Sequence, residues 1–525
     1  MARGLSSRRL PRSTPKPGGA ARGLDLAGGR GNAGAAMRPR ALAFLALLAA
    51  SCALGGCSAN PATGSRSFTA FMSPEEEARL GRQEHPKIVA QFGGEHGDQR
   101  LRAYVSRLGD ALAARSEMPG LEWRFTILDS DVVNAFALPG GHVYATRALL
   151  ALASSEAELA GVLGHEIGHV TARHTAQRYS SGVLAQAGTT AATILGSVFL
   201  GSAGAQLAQS TVGGTAQLAL AGYSRDQEFE ADTLGVRYLA RGGYDTAAMA
   251  SFLAKMQMES ALQAELAGRP GAGDEFSLLQ SHPRTPDRVR QARQAAGIAD
   301  DAPDARVGED EYLSAIDGLP WGGDARNGFV RNESFVHPAL RLRFSVPRGF
   351  RIVNGDSAVI ASGPGGGRIL FDRDARAPRG QLAAYLAQAG FQQARPATIG
   401  GLPAASGAGR LRTQSGQVLD ISVVLVEGAD AVWRFRFLSP PESSAALGPE
   451  FGRTAQSFRQ MSPAEASAAR PFRIRVLRAG AGDTQETMAR RMAVADLPLR
   501  RFQVLNGLDP GEPLRAGRRY KVIAD

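Results

Sequence analysis

The 525-residue chain has only two cysteines, Cys52 and Cys57. Two cannot build a disulfide framework, so a chain long enough for about two to four domains must rely on its hydrophobic cores and any metal it binds. Also missing is an unbroken apolar run of the ~20 residues that a membrane-spanning helix needs. Two uncharged stretches fall short: Ala41–Gly56 is brief, and Gly182–Tyr223 is interrupted by glycines and densely apolar only over Ala191–Leu200. We read the second as soluble helices or a loop that acts as a lid or a membrane-contacting surface. Acid is scarcer than base, with 49 Asp/Glu against 60 Lys/Arg and a net charge of +11. Nine of those cations and a single acid, Asp25, lie in residues 1–56. The basicity therefore belongs to the leader, and a nucleic-acid partner has no support.

What is present begins with that leader. Met37 is followed by two arginines and then by the uncharged run, which is the order of a secretory signal. It ends in Leu54-Gly55-Gly56-Cys57, which resembles a bacterial lipobox. That likeness implies cleavage before Cys57, lipidation of Cys57 and a protein anchored to a membrane of the cell envelope, facing the periplasm, at the outer membrane by preference. Residues 1–56 are then extension and signal peptide, with Met1–Ala36 an upstream addition.

After a tether over 57–72, Ser73-Pro74-Glu75-Glu76 starts a helix with a capping box and proline at the first position. Leu121–Ile127 alternates like a strand, and Asn134–Ala145 reads as strand, turn, strand. A long helical pattern covers Ser154 to about Gln177, and another begins near Ser224. Asp300–Asn327 is acidic and then punctuated by Gly and Pro, as a linker would be. Beyond it the period becomes two: Leu340, Leu342, Phe344 and Val346 share one strand face. Domains are expected at 73–299, 328–462 and 471–525.

The chemistry is concentrated in Gly161–His174, GVLGHEIGHVTARH. Residues four apart share a helix face, so His165 and His169 can offer two imidazoles to one metal, with Glu166 beside a metal-bound water. A catalytic zinc needs a third protein ligand. Glu228 and Asp232 are four apart on the later helix, so one can bind the metal while the other holds a ligand histidine. His174 is five residues past His169 and on a continuous helix points away from it. The other histidines have no partner in view.

HEIGH followed by Glu228-Phe-Glu-Ala-Asp232 resembles the HExxH and ExxxD motifs of the gluzincin metalloendopeptidases that include HtpX, the CAAX-prenyl endopeptidases and the periplasmic BepA- and LoiP-like enzymes. The likeness covers about Ser73 to Ala296. It implies one zinc per chain held by His165, His169 and Glu228, Glu166 as catalytic base, and Asp232 behind a ligand. The family register selects Glu228 and leaves Asp226 and Glu230 as solvated residues. Ser281-His282-Pro283-Arg284 resembles a further family segment, which gives His282 a catalytic role: polarising the reacting carbonyl, or filling the open coordination position to hold the enzyme latent. Arg288 is balanced between an oxyanion role and a surface one. An exposed edge strand around Asn134–Ala137 would bind extended substrate through backbone hydrogen bonds.

The tail, with Asp483-Thr484, Asn506-Gly507 and Leu514–Ile523 as landmarks, resembles LysM, a peptidoglycan-binding βααβ module. The expected fold class is therefore α+β: a mainly helical zincin-type domain with a small sheet, a β-rich domain, and a LysM-like module. The expected function is lipid-anchored zinc endopeptidase acting on unfolded or misassembled envelope proteins. The alternatives are an envelope chaperone or assembly factor with a latent zinc site, and a peptidoglycan-binding lipoprotein.

Overall fold

Ser73 caps the first long helix as its sequence requires: its side chain accepts from the Glu76 N–H while the Glu76 carboxylate accepts from the Ser73 N–H. In the computed structural model the described residues are 57–185, 222–271, 282, 286–298, 304–355, 358–413 and 416–525. The leader and most of the uncharged stretch 182–223 lie outside them.

The first part of the chain runs β1 (Cys57–Ala59), β2 (Arg66–Phe68), α1 (Pro74–Gln91), α2 (Gln99–Ala113), β3 (Arg124–Leu128), β4 (Ala135–Leu138), β5 (His142–Thr146), α3 (Arg147–Leu152), α4 (Glu156–Thr171), α5 (His174–Ala185), α6 (Arg225–Gly242), α7 (Ala247–Leu266), α8 (Pro286–Ile298) and α9 (Glu309–Ile316). Gly140 and Gly141, both with positive φ, turn β4 back along β5. The sheet order is β3-β5-β4, with β3 parallel to β5.

Helix α4 is buried along nearly its whole length, which its composition (Leu159, Val162, Leu163 and Ile167, with Ala160, Gly161 and Gly164 between them) permits. It lies against α6 along a seam of small residues. A Cβ placed on Gly164 would come 3.3 Å from the Cα of Gly235, and one on Gly235 would reach 2.4 Å from Met249 Cε. Side chains there would hold the two helices apart; their lack lets the backbones approach, and so carries the carboxylates of α6 to the histidines of α4.

Residues 57–72 are not a tether. β1 and β2 pair as a hairpin, Ala62 joins the core, and Asn60 is buried. Residues 304–327, expected as linker, also contribute: Tyr312, Leu313 and Ile316 of α9 enter the same core.

The following region is β-rich. Its seven-stranded antiparallel sheet runs, edge to edge, Arg351–Asn354, Val359–Ser362, Arg368–Arg373, Val432–Ser439, Val418–Glu427, Leu402–Arg412 and Gln392–Ile399. Helix Ser444–Ser457 covers one face with Leu447 and Phe451, and helix Leu382–Gln388 part of the other. The tail then runs strand, helix, helix, strand, with Phe472–Arg478 antiparallel to Arg519–Ala524. That is the expected order of elements, but not a separate module. Phe472, Ile474, Phe502 and Val522 belong to the same hydrophobic core as α4. Pro320–Trp321 adds a third strand to the tail's pair. Lys521, fully buried, donates to the carbonyls of Ala151, Leu152 and Ala153 at 2.8, 2.9 and 2.5 Å, closing the C-terminus of α3 where the last carbonyls have no helical partner. The architecture is mixed α+β.

Candidate metal centre

Four buried side chains from three places in the chain meet at one point: His165 and His169 of α4, Glu228 of α6, and His282. Ser224 starts α6 with a capping box to Gln227, which sets Glu228 in the first turn, facing α4. His165 Nε2 lies 3.0 Å from His169 Nε2 and 3.2 Å from His282 Nδ1. His282 Nδ1 is 2.8 Å from Glu228 Oε1, which is 3.5 Å from His169 Nε2.

These separations test whether a metal fits. Four ligands around a tetrahedral zinc at about 2.0–2.1 Å stand roughly 3.3 Å apart, and the distances scatter about that value. Four acceptor-bearing groups turned toward one point make a donor set suited to a divalent cation. Glu166 stands next to it: its Oε1 is 3.4 Å from His282 Nε2, and its buried Oε2 has no hydrogen-bond partner. Burial pushes the Glu166 carboxyl pKa up, against the charges of His282 and His165.

Behind the ligands, Asp232 Oδ1 is 2.8 Å from His165 Nδ1, the carboxylate–histidine contact that orients a metal ligand. Arg288 is buried. It donates from Nε and Nη2 to Asp232 at 2.8 and 2.7 Å, and its Nη1 is 2.7 Å from Glu228 Oε2. The guanidinium thus faces two carboxylates, and of its two readings the surface one is overturned. Although burial raises the Glu228 pKa, the charges of His282 and Arg288 outweigh it and hold the carboxyl well below its usual range.

Three neighbours escaped the sequence. His174 lies against the site, its Nδ1 2.8 Å from His169 Nδ1. The helical-wheel argument failed because the helix does not continue: α4 ends at Thr171, Arg173 takes φ 55°, and a new helix begins at His174. Glu230, expected in solvent, accepts from Asn60 Nδ2 at 2.8 Å and lies 3.1 Å from His174 Nε2. Tyr223 stacks on His169 with ring centroids 3.8 Å apart and planes at 16°. Nothing local marks that tyrosine; it follows an uncharged stretch with no periodic signal.

The remaining sites fall as follows. Among the described residues β4 is an edge strand of its sheet, and its residues 135–138 are buried. His142 packs in β5 with its ring 5.2 Å from that of His85, which in turn contacts the Tyr144 hydroxyl at 2.8 Å. His96 lies 3.4 Å from Asp129. Cys57 begins β1. Of the segment around His282, Ser281 and 283–285 lie outside the described residues.

Residues 99–296 match Peptidase family M48, a span that runs from α2 into α8 and contains all four residues of the cluster. The chain is 34% identical over 221 residues to a beta-barrel assembly-enhancing protease of Yersinia pestis, covering 42% of this chain and 43% of that one. It is 33% identical over 202 residues to the protein of the same name from Escherichia coli strain K12, covering 38% and 39%. To the mitochondrial metalloendopeptidase OMA1 of Schizosaccharomyces pombe it is 27% identical over 230 residues, covering 42% and 62%. The chain thus spans less than half the length of these two bacterial relatives. The family match and the His/His/Glu/His cluster, which can hold a divalent metal, are consistent with a metalloprotease site in this part of the chain.

Proposed function

We propose that the protein is a zinc-dependent metalloendopeptidase of the bacterial cell envelope, anchored through a lipidated Cys57 and cleaving unfolded or misassembled envelope proteins. The observation that carries the reading is Glu166, buried beside the four-residue cluster and aligned on it. Zinc held by His165, His169 and Glu228 would supply a Lewis acid and lower the pKa of a water beside it. Glu166 takes the proton of the attacking water and delivers it to the leaving amine; burial, which raises its carboxyl pKa, favours its holding that proton between the two steps. Asp232 keeps His165 in the tautomer that offers Nε2 inward, and Arg288 holds Asp232 and Glu228 in register. Envelope proteins as substrates accord with the leader, with Cys57 and with the two bacterial relatives being called beta-barrel assembly-enhancing proteases. The test compares zinc-loaded wild type with Glu166→Gln on an unfolded protein. We expect cleavage to fall about 10²–10⁴-fold in the variant with zinc retained; equal cleavage by both would remove Glu166 from the mechanism and with it this reading.

A second reading rests on His282. Its Nδ1 stands with the three other donors at 2.8–3.2 Å from two of them, so the protein itself completes a four-ligand set, the pattern of a closed rather than an open zinc site. On this reading the enzyme rests latent, or serves as an assembly factor, until His282 withdraws. His282→Ala then raises peptidase activity; if activity falls instead, His282 belongs to the catalytic machinery. The tail's order of elements supports a third role, peptidoglycan binding. Cosedimentation of the whole chain with peptidoglycan sacculi tests it, and failure to sediment dismisses it.

A further inference from the structure

We infer that the turn Asn60–Gly64, just after Cys57, is a working part of the metal site, because through Glu230 and His174 it fixes the tautomer and orientation of His169. This rests on the metallopeptidase reading above and goes beyond it. His169 turns Nε2 toward the cluster, 3.0 Å from His165 Nε2. A nitrogen that offers its lone pair to a metal leaves the ring proton on the other nitrogen. His169 Nδ1–H therefore donates to His174 Nδ1, 2.8 Å away. His174 must then carry its own proton on Nε2, and that atom faces Glu230 Oε2 at 3.1 Å. The other oxygen, Glu230 Oε1, accepts from Asn60 Nδ2 at 2.8 Å and from Thr63 Oγ1 at 3.0 Å. A carboxylate only accepts, so the sense of every bond in the chain is determined once the metal sits on Nε2.

The turn is built to hold that position. The Asn60 side-chain oxygen accepts from Ala62 N at 2.9 Å, and its backbone pairs with Ser65 and Gly64 at 2.7 and 2.8 Å. Asn60 and His174 are buried, while Glu230 between them is only partly open to solvent. The two ligand histidines are supported unequally. His165 meets its carboxylate, Asp232, directly, whereas His169 is supported through a histidine and a carboxylate by a segment about 110 residues earlier in the chain. The three residues Asn60, Glu230 and His174 are positioning residues: none touches the cluster's centre.

The test measures zinc release to a chelator from the whole chain, together with the visible spectrum of the cobalt(II)-substituted protein, which reports ligand geometry. Asn60→Ala/Thr63→Ala and the isosteric Glu230→Gln should each release zinc about 10–100-fold faster and shift the cobalt bands. Ser58→Ala is the control: it removes hairpin contacts to Thr69 and Arg173 without touching Glu230, and it should behave as wild type. The inference is overturned if Glu230→Gln holds zinc as wild type does, or if Ser58→Ala loosens zinc equally, since general packing of the hairpin would then explain the effect. A wild type that takes up no zinc sinks the metallopeptidase reading itself; a wild type that binds zinc and cuts, beside unaffected variants, sinks only the positioning role.

Discussion

Arg288 shows how a single side chain acquires its meaning from its surroundings. On the surface it would be one more arginine; buried against Asp232 and Glu228 it neutralises two carboxylates that would otherwise repel across the metal site. His142 yields a prediction at the same scale. Burial, reinforced by the neighbouring His85, pulls its pKa down to about 4. An unfolded histidine titrates near 6.5, so between those values the unfolded chain binds a proton that the folded chain refuses. The stability due to this site is complete above pH 6.5 and is lost as pH falls toward 4, by about 2 kcal/mol. Urea unfolding at pH 7.5 and pH 5 should show that loss in wild type and a smaller one in His142→Gln; an unchanged slope would mean that His142 is not the origin. The pair His165 and His169 was legible because spacing along a helix is a local property, and Glu228 through the register of the family the chain resembles. His174 and Glu230 were not. The first depends on the one left-handed residue, Arg173, that ends the helix, and the second on a hairpin distant in sequence.

Among elements, the seam between α4 and α6 is the decisive contact. It brings Glu228 to the histidines only because Gly164 and Gly235 carry no side chains. Gly235→Val places atoms against Met249 and the backbone of His165, so it should cost about 2–3 kcal/mol despite valine's better helix propensity. Because the clash opens the helix pair, zinc affinity should fall with stability, as chelator titration beside thermal unfolding can show. A variant that loses stability but keeps zinc affinity would place the metal site outside the influence of this seam. The helix start at Ser73 was readable from its capping box and that near Ser224 from its helical pattern, whereas the hairpin of residues 57–68 was not: it is three residues a strand, and its stability comes from what it packs on.

For the whole molecule, the tail shares the core of the helices that carry the metal cluster. Ending the chain after Arg470 would strip Phe472, Ile474, Phe502 and Val522 from the core and leave the α3 carbonyls without Lys521. We expect the truncated chain to unfold at a markedly lower temperature and to be cut within α4 by a protease that spares the full chain. A truncated chain with the full chain's melting temperature would instead make the tail an independent module.

Sequence alone determined the mixed α+β class, the two helices that carry HEIGH and Glu228, and the pairing of His165 with His169 on one helix face, because periods and i,i+4 spacings are written within a turn or two of chain; Glu228 and His282 were singled out by the family resemblance. Tertiary structure decided the rest. It made His282 a neighbour of three other donors, assigned Arg288 to the carboxylates, turned His174 inward, and merged hairpin, site helices and tail around one core. Those outcomes depend on long-range burial of polar groups, where each donor must find an acceptor from whichever segment packs against it, and no local pattern says which segment that is.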